Sequence, residues 1–222
     1  MKKLLITIIA SLSLSGVAYA GSFGIGISGS LAKVSADGKE VTGAGTGGTA
    51  DTHTKSVDDL AIIGSIFLDY EMDNGAVVGF SHVPGTADVS GKTHQRAETA
   101  QGVSGTDASG SVTRTADAEV ENFNTIYIEF PVSDALFAKL GFSQLDVITK
   151  ENAITSSGTY GNATLDGFTV GAGINGSIGE FFSKTSVEYT DFEDLKLNST
   201  TNNRIEADLD VLEFKVSIGK RF

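Results

Sequence analysis

Apolar residues recur at every second position through most of this chain, and that spacing constrains the fold more than any single motif. Between residues 22 and 32 the odd positions Phe23, Ile25, Ile27 and Leu31 are apolar, while Ser22, Gly24, Gly26, Ser28 and Ser30 are tiny or polar. A period of two belongs to a β-strand, whose successive side chains point to opposite faces. The same alternation returns at 59–72, 76–83, 118–130, 136–142, 165–174, 181–189 and 208–222, so the pattern predicts eight strands. In 118–130 it sets Val120, Ile126, Ile128 and Phe130 against Glu119, Glu121, Thr125, Tyr127 and Glu129.

The connections fall into two kinds that alternate. Asp73-Asn74-Gly75, Pro131-Val132-Ser133-Asp134 and the glycine-rich 175–180 make short turns, Asn-Gly being the pair that tolerates positive φ in a hairpin. The others, about 36–57, 84–117, 147–163 and 193–206, are longer, and the first two carry Gly/Ser/Thr-rich runs at 43–48 and 104–110. Strict alternation of short and long is what an up-and-down antiparallel barrel shows when one end is trimmed and the other elaborated.

The first twenty residues read as a leader. Lys2 and Lys3 precede an apolar run at 4–14, and Ala18-Tyr19-Ala20 has the small-x-small form of a cleavage site, so the pattern predicts a signal peptide at 1–20 and a barrel domain at 21–222. The remainder holds no apolar run long enough for a spanning helix, so a membrane crossing would have to be made by strands. Net charge is −12, which argues against a nucleic-acid partner, and the absence of cysteine removes disulfides and thiolate metal sites.

Which face meets which solvent decides the class. Acids and bases share one face: Asp69, Glu129, Glu188 and Glu213 with Lys139, Lys184, Lys215 and Arg221. The other face is Ile, Leu, Val, Phe and Ala over the roughly nine to eleven residues that a tilted strand needs to cross hydrocarbon. The charges therefore belong to a narrow lumen and the apolar residues to lipid. Glycine, 27 of 222 residues, fits the crowded inner face of so narrow a barrel, making room there for charged neighbours.

These features resemble the small outer-membrane barrels of Gram-negative bacteria, the OmpA transmembrane-domain and OmpX type, over about 21–222. The most specific segment is 214–222: Phe214, Val216, Ile218 and the terminal Phe222 resemble the C-terminal signal read by the outer-membrane barrel assembly machinery, with Lys220 departing from the pattern. The segments 124–131 and 136–141 are similar to the fourth and fifth strands of such barrels. The resemblance implies an all-β, eight-stranded antiparallel up-and-down transmembrane β-barrel with short periplasmic turns, long extracellular loops, a cell outer-membrane location and no cofactor.

Glu129 and Lys139 are equidistant from residue 134, so they face each other on adjacent strands as an expected interior ion pair, either locking the lumen or gating it by re-pairing with Glu188, Lys215 or Arg221. Acids gather where strands meet the long loops, among them Asp58, Asp59, Glu119, Glu121, Asp208 and Asp210; this rim is either simply solvated or a place for divalent cations bridging to lipopolysaccharide phosphates. Ser81-His82 is similar to the His/Ser pair of lipid A deacylases, but adjacent strand residues face opposite sides, and parity aims His82 at lipid unless a bulge near Ser81 or Gly85 turns it. Asp58-Asp59 with His53 is only distantly similar to the acid–histidine rim of omptin proteases, which have ten strands. The expected role is thus structural or surface-interacting and not enzymatic, with a narrow, cation-preferring pore as one alternative and a loop-borne adhesin or receptor, its surface ligand unknown, as another.

Overall fold

The computed structural model describes residues 21–42, 51–88, 94–99, 111–151, 159–199 and 203–222. The leader at 1–20 and the glycine-rich runs at 43–48 and 104–110 lie outside them. Every described element is a strand: β1 (Ser22–Thr42), β2 (Asp51–Glu71), β3 (Val77–His82), β4 (Thr86–Asp88), β5 (His94–Thr99), β6 (Ser111–Pro131), β7 (Leu136–Glu151), β8 (Ala163–Ile178), β9 (Phe181–Phe192), β10 (Leu195–Asn198) and β11 (Arg204–Arg221). The order β1-β2-β3-β6-β7-β8-β9-β11 closes on itself, because β11 pairs antiparallel with β1 from Gly24↔Arg221 to Val41↔Arg204. β4 and β5 continue the β3 position along β6, and β10 continues β9 along β11. The wall therefore has eight positions, as the alternation predicts.

Closure leaves no free edge between the first and last strands, and the chain's end is stitched in: Phe222 N–H donates to Phe23 O at 2.8 Å and Phe23 N–H to Phe222 O at 3.2 Å. The short turns sit at one end. At 72–76 the Met72 amide donates to Ala76 O at 2.8 Å, Gly75 takes φ 79°, and Asn74 Oδ1 accepts from the Ala76 amide at 3.0 Å. The third turn is tighter than the glycine-rich 175–180 suggests, since β8 runs to Ile178 and Gly179, at φ 63°, turns the chain.

The other end differs from expectation. Much of what reads as loop at 36–57, 84–117, 147–163 and 193–206 is strand: β1 reaches Thr42, β2 starts at Asp51, β6 at Ser111, and β4, β5 and β10 lie wholly within those stretches. Gly, Ser, Thr and charged residues weaken the apolar alternation there without preventing ladder hydrogen bonds, which belong to the backbone. A 21-residue strand such as β1 is about 70 Å long at ~3.3 Å per residue, far more than a tilted crossing needs.

Outward parity produces an apolar belt. Phe23, Ile25, Ile27 and Leu31 on β1, Leu68 and Ile66 on β2, Leu136 and Leu140 on β7, Phe168, Val170 and Ile174 on β8, and Phe214, Val216 and Ile218 on β11 are all exposed, Phe168 by 71%. Inward glycines accommodate aromatic rings more than charges, correcting the sequence expectation. A methyl at Gly173 would sit 2.5 Å from Phe137 Cζ, and one at Gly79 would strike the Tyr127 ring; among the described residues only Gly24 beside Asp69 and Gly171 beside Glu188 make room for charge.

A second correction concerns β6. Its register with β7 shifts between Glu121 and Asn124, where Asn122 adopts φ 55°. The extra residue reverses the parity, so that Val120 packs inward against the interior cluster while Glu119 and Glu121 turn out. Asn tolerates this left-handed conformation, whereas a β-branched side chain is strained in it by roughly 1–2 kcal/mol. Asn122→Val is accordingly expected to destabilise the folded barrel by about 1–2 kcal/mol and Asn122→Gly to leave it nearly unchanged, read from the urea midpoint of the heat-modifiable band on gels.

Candidate functional site

The inward side chains form three layers. Nearest the short turns is a charged layer that gathers the lumen residues predicted from sequence. Lys184 Nζ lies 2.9 Å from Asp69 Oδ2 and 2.6 Å from Glu129 Oε2. Glu188 bridges two cations, with Oε1 at 2.9 Å from Lys139 Nζ and Oε2 at 3.0 Å from Lys215 Nζ, and Lys215 also reaches Glu213 Oε2 at 3.0 Å. Hydroxyls complete the carboxylates: Ser30 Oγ donates to Glu213 Oε1 at 2.7 Å and Ser186 Oγ to Glu188 Oε1 at 2.8 Å. Lys139 also stands 4.1 Å from the centre of the Tyr127 ring, a cation–π contact. Arg221 lies at the edge of the layer, contacting Glu71, 4.0 Å from Asp69 Oδ2 and over the Phe182 ring at 4.5 Å.

Glu129 and Lys139 are ladder partners, as their spacing predicts, yet they do not form the expected ion pair. Each reaches to β9 instead, Glu129 to Lys184 and Lys139 to Glu188. Both β9 residues point into the same lumen, and in a barrel this narrow a long side chain from another strand is as close as the ladder neighbour. Every charge in the layer thereby gains an opposite charge, which an interior location requires.

Above it lies a hydroxyl layer, made of residues that the charge pattern of the sequence does not single out. Thr125, Ser143, Thr169 and Thr190 join in one chain across β6, β7, β8 and β9 with spacings of 2.8, 2.7 and 2.8 Å, and Ser28 meets Ser217 at 2.8 Å. The signal was present as Ser and Thr at inward positions of successive strands. Above that again is an apolar layer of Ala32, Leu145, Val147, Leu165, Phe192, Leu209 and Val211, joined by Val34, Ile63, Val120 and Phe123. Alternation alone could not reveal it, since Val120 reads as lipid-facing until the bulge is known, Val147 falls in the predicted loop at 147–163 and Phe192 lies beyond the predicted strand at 181–189.

The acidic rim does not converge. Asp58 pairs with Lys33 at 2.9 Å and accepts from Ser35 Oγ at 2.8 Å, while Asp59 caps the Leu60 amide at 2.8 Å. Glu119 contacts Lys150, and Glu121 lies opposite Asp146 in the ladder. Asp210 lies opposite Asp191, and Asp208 opposite Asp37. Among the described residues no three His, Cys, Asp or Glu side chains come together to hold a metal ion; Asp58 and Glu119 are taken by lysines, while Glu121, Asp208 and Asp210 face single acids across the ladder. Asp194 is held below the usual carboxylate range by a hydrogen bond from Lys196, and Asp208 is raised by its hydrogen bond with Asp194 and by that neighbour's charge.

His82 keeps its outward parity. It stands opposite Ile66, and its Nδ1 lies 2.8 Å from Asn124 Oδ1, at the upper edge of the belt, so the polar ring has a partner without any bulge in β3. Ser81, opposite Phe67, faces the lumen, and no Ser–His bond forms. Phe214, Val216 and Ile218 lie in the belt with Phe222 exposed beneath them, and Lys220 points outward to Glu180 at 2.9 Å.

A closed antiparallel wall of eight strands, apolar outside over the height of a hydrocarbon layer and largely polar inside, has the architecture of a transmembrane β-barrel. No protein-family model matches the chain, and no curated protein does. Solved structures with similar architecture include the outer-membrane protease OmpT from Escherichia coli (8% identity, 94% of this chain and 99% of that one, TM-score 0.49). The outer-membrane protein AlkL is similar at 17% identity, with 94% of each chain covered and a TM-score of 0.44. Ail, the attachment invasion locus protein of Yersinia pestis, shares 15% identity over 88% of this chain and 97% of its own, with a TM-score of 0.37.

Glu188→Gln strands Lys139 without its carboxylate and takes one of two from Lys215. The expected loss of unfolding free energy is about 3–5 kcal/mol, against no more than about 1 for breaking the outer Lys220–Glu180 pair by Lys220→Ala. At the rim the folded state binds more protons than the unfolded chain at Asp208, so its contribution to stability is present in acid and lost as pH rises through its raised pKa. Carboxyl-carbon NMR should show Asp208 titrating above Asp194, with Lys196→Met raising Asp194.

Proposed function

We propose that the protein is a closed, non-conducting barrel that braces the outer membrane and carries its long strands above the lipid as an interaction surface. The observation that carries this reading is the charged layer. The space left among Tyr127, Glu129, Lys139, Lys184, Glu188 and Lys215 is about 20 Å³, room for a water or two and not for a water-filled path. Its four acids, Asp69, Glu129, Glu188 and Glu213, face Lys139, Lys184 and Lys215, with Arg221 at the edge shared between Asp69 and Glu71, so acids and bases nearly cancel and the layer supplies little net charge to select cations. Gating by re-pairing would have to part buried ion pairs of 2.6 to 3.0 Å before water entered.

Insertion fits the same reading. Phe214, Val216, Ile218 and Phe222 sit on one face of the last strand, outward, where the assembly machinery could pair with that strand before closure. Above the belt the described rim carries Asp37, Asp58, Asp191, Asp194 and Asp208, so a surface partner or lipopolysaccharide would meet acid first, directly or through cations in solution.

Refolded protein in a planar bilayer should give no stepwise conductance. Regular unitary steps from the wild type, abolished by boiling, would contradict the closed reading in favour of a narrow pore, and cation selectivity in those steps would contradict the neutral layer as well.

A further inference from the structure

β2 and β3 part at the upper edge of the belt. Their last paired residues are Ile66 and His82; from there β2 continues against β1, while the chain after β3 turns through Val83-Pro84-Gly85, with Gly85 at φ 96°, and rejoins the sheet as β4 against β6. Among the described residues no strand pairs with that edge of β2 above Ile66. At one point the edge supplies its own partner, since the Leu60 amide donates to the Asp59 carboxylate at 2.8 Å. Ile62 and Gly64, two and four residues on, turn their backbone groups the same way as Leu60. Open backbone at this depth is tolerated where it is buried in protein or meets water, so the notch is wet. Its border is polar to match: His82, bonded to Asn124, stands at the foot, with Asp59, Thr86 and Glu121 above.

The notch opens into about 140 Å³ of space whose deeper lining is Val34, Ile63, Val120, Phe123, Leu145 and Val211, the apolar upper layer of the lumen. A cavity of about 150 Å³ is large enough to hold benzene. The mouth, by contrast, is acidic. Glu121 stands directly opposite Asp146 in the ladder, a like-charge pair that is unfavourable unless a cation lies near. Asp146 is met only by neutral donors, Asn122 Nδ2 and Thr164 Oγ1. Lys33 and Lys150 are held by Asp58 and Glu119, and among the described residues no base pairs with Asp59, Glu121 or Asp146.

We propose that the β2–β3 notch is a binding site for a small organic cation, an ammonium on an alkyl body of up to about six carbons, taken up from the water outside the membrane. The body enters the apolar cavity and the ammonium stays in the mouth, against Asp59, Glu121 and the open carbonyls of β2. An ammonium carries three donors and no acceptor, which suits a mouth built of carboxylates and carbonyls. The alkyl body suits the lining behind it, which offers a polar guest few partners. Three features carry the assignment independently of the conduction reading: the open edge, the acids at the mouth that no base neutralises, and the apolar interior.

The test uses the full barrel in phosphatidylcholine nanodiscs, whose lipid carries no net charge, with ¹³C-labelled Leu, Val and Ile methyls and with hexylammonium, hexanol and hexanoate as probes. Expected with hexylammonium are saturating shift changes at Ile63, Leu145 and Val211, and only linear ones at the outward Leu140 and Leu212. Its half-saturating concentration should lie at least about fivefold below that of hexanol, with hexanoate weaker still. Glu121→Gln, a change on the outer face of the wall, should raise the hexylammonium value at least about threefold and leave hexanol where it was. Ala61→Phe, which fills the cavity from β2, should weaken both. Linear responses at all five residues in the wild type would overturn the proposal, as would hexanol binding as tightly as hexylammonium, or hexylammonium binding untouched in a folded Glu121→Gln or Ala61→Phe barrel.

Discussion

Hydrocarbon outside the wall is the constraint from which the rest of this structure follows. A backbone in lipid must satisfy every amide and carbonyl internally, which for strands means a closed ring, and β11 returning to β1 supplies it. Side chains at that depth must then be apolar if they point out. Since successive residues of a strand point oppositely, whatever charge the strands carry is sent inward. Asp69, Glu129, Lys139, Lys184, Glu188, Glu213 and Lys215 are thus concentrated in one small volume, where they persist because each meets an opposite charge.

Layering follows from how far each part of the wall stands from water. Near the short turns, charges and aromatic rings fill the lumen, with glycines on neighbouring strands giving the rings their room. Hydroxyls tie the middle through short side chains that cost little rotamer freedom. Higher up the interior turns apolar, like the core of a soluble barrel, and the ladders run on beyond the belt. One wall thus changes from inside-out to conventional along its own length, and the β6 bulge at Asn122 is one device that makes the change, turning Val120 in and Glu119 and Glu121 out.

The strand count, the short-turn end and the inward charges were legible because a two-residue period survives any tertiary detail. Glu129 and Lys139 show where legibility stops: spacing from the turn gave their register, but the identity of an ion partner depends on the width of the lumen, which a sequence does not display. The stretches at 36–57 and 84–117 looked like loops because their apolar alternation fades, although the hydrogen bonds that make a strand carry no side-chain signature. The bulge at 121–124 hid the apolar upper lumen, since one extra residue reverses the parity of all that lies beyond it. The acidic rim looked concentrated in sequence, yet the ring distributes it over different strands, Asp58 toward Lys33 and Glu119 toward Lys150.

The account rests on which way β11 and β6 face. The chain contains no cysteine, so single cysteines carrying spin labels can be read without background. Labels at positions 214 to 218 of β11, and at 119, 120, 125 and 126 of β6, would be compared for collisions with oxygen, which is concentrated in lipid, and with a water-soluble nickel chelate. The account predicts oxygen access at Phe214, Val216 and Ile218, protection from both at Lys215 and Ser217, oxygen access at Ile126, and a reversed parity across the bulge, with Val120 protected while Glu119 meets the chelate. Uniform access to the chelate along β11, or unbroken parity from Glu119 to Ile126, would contradict it.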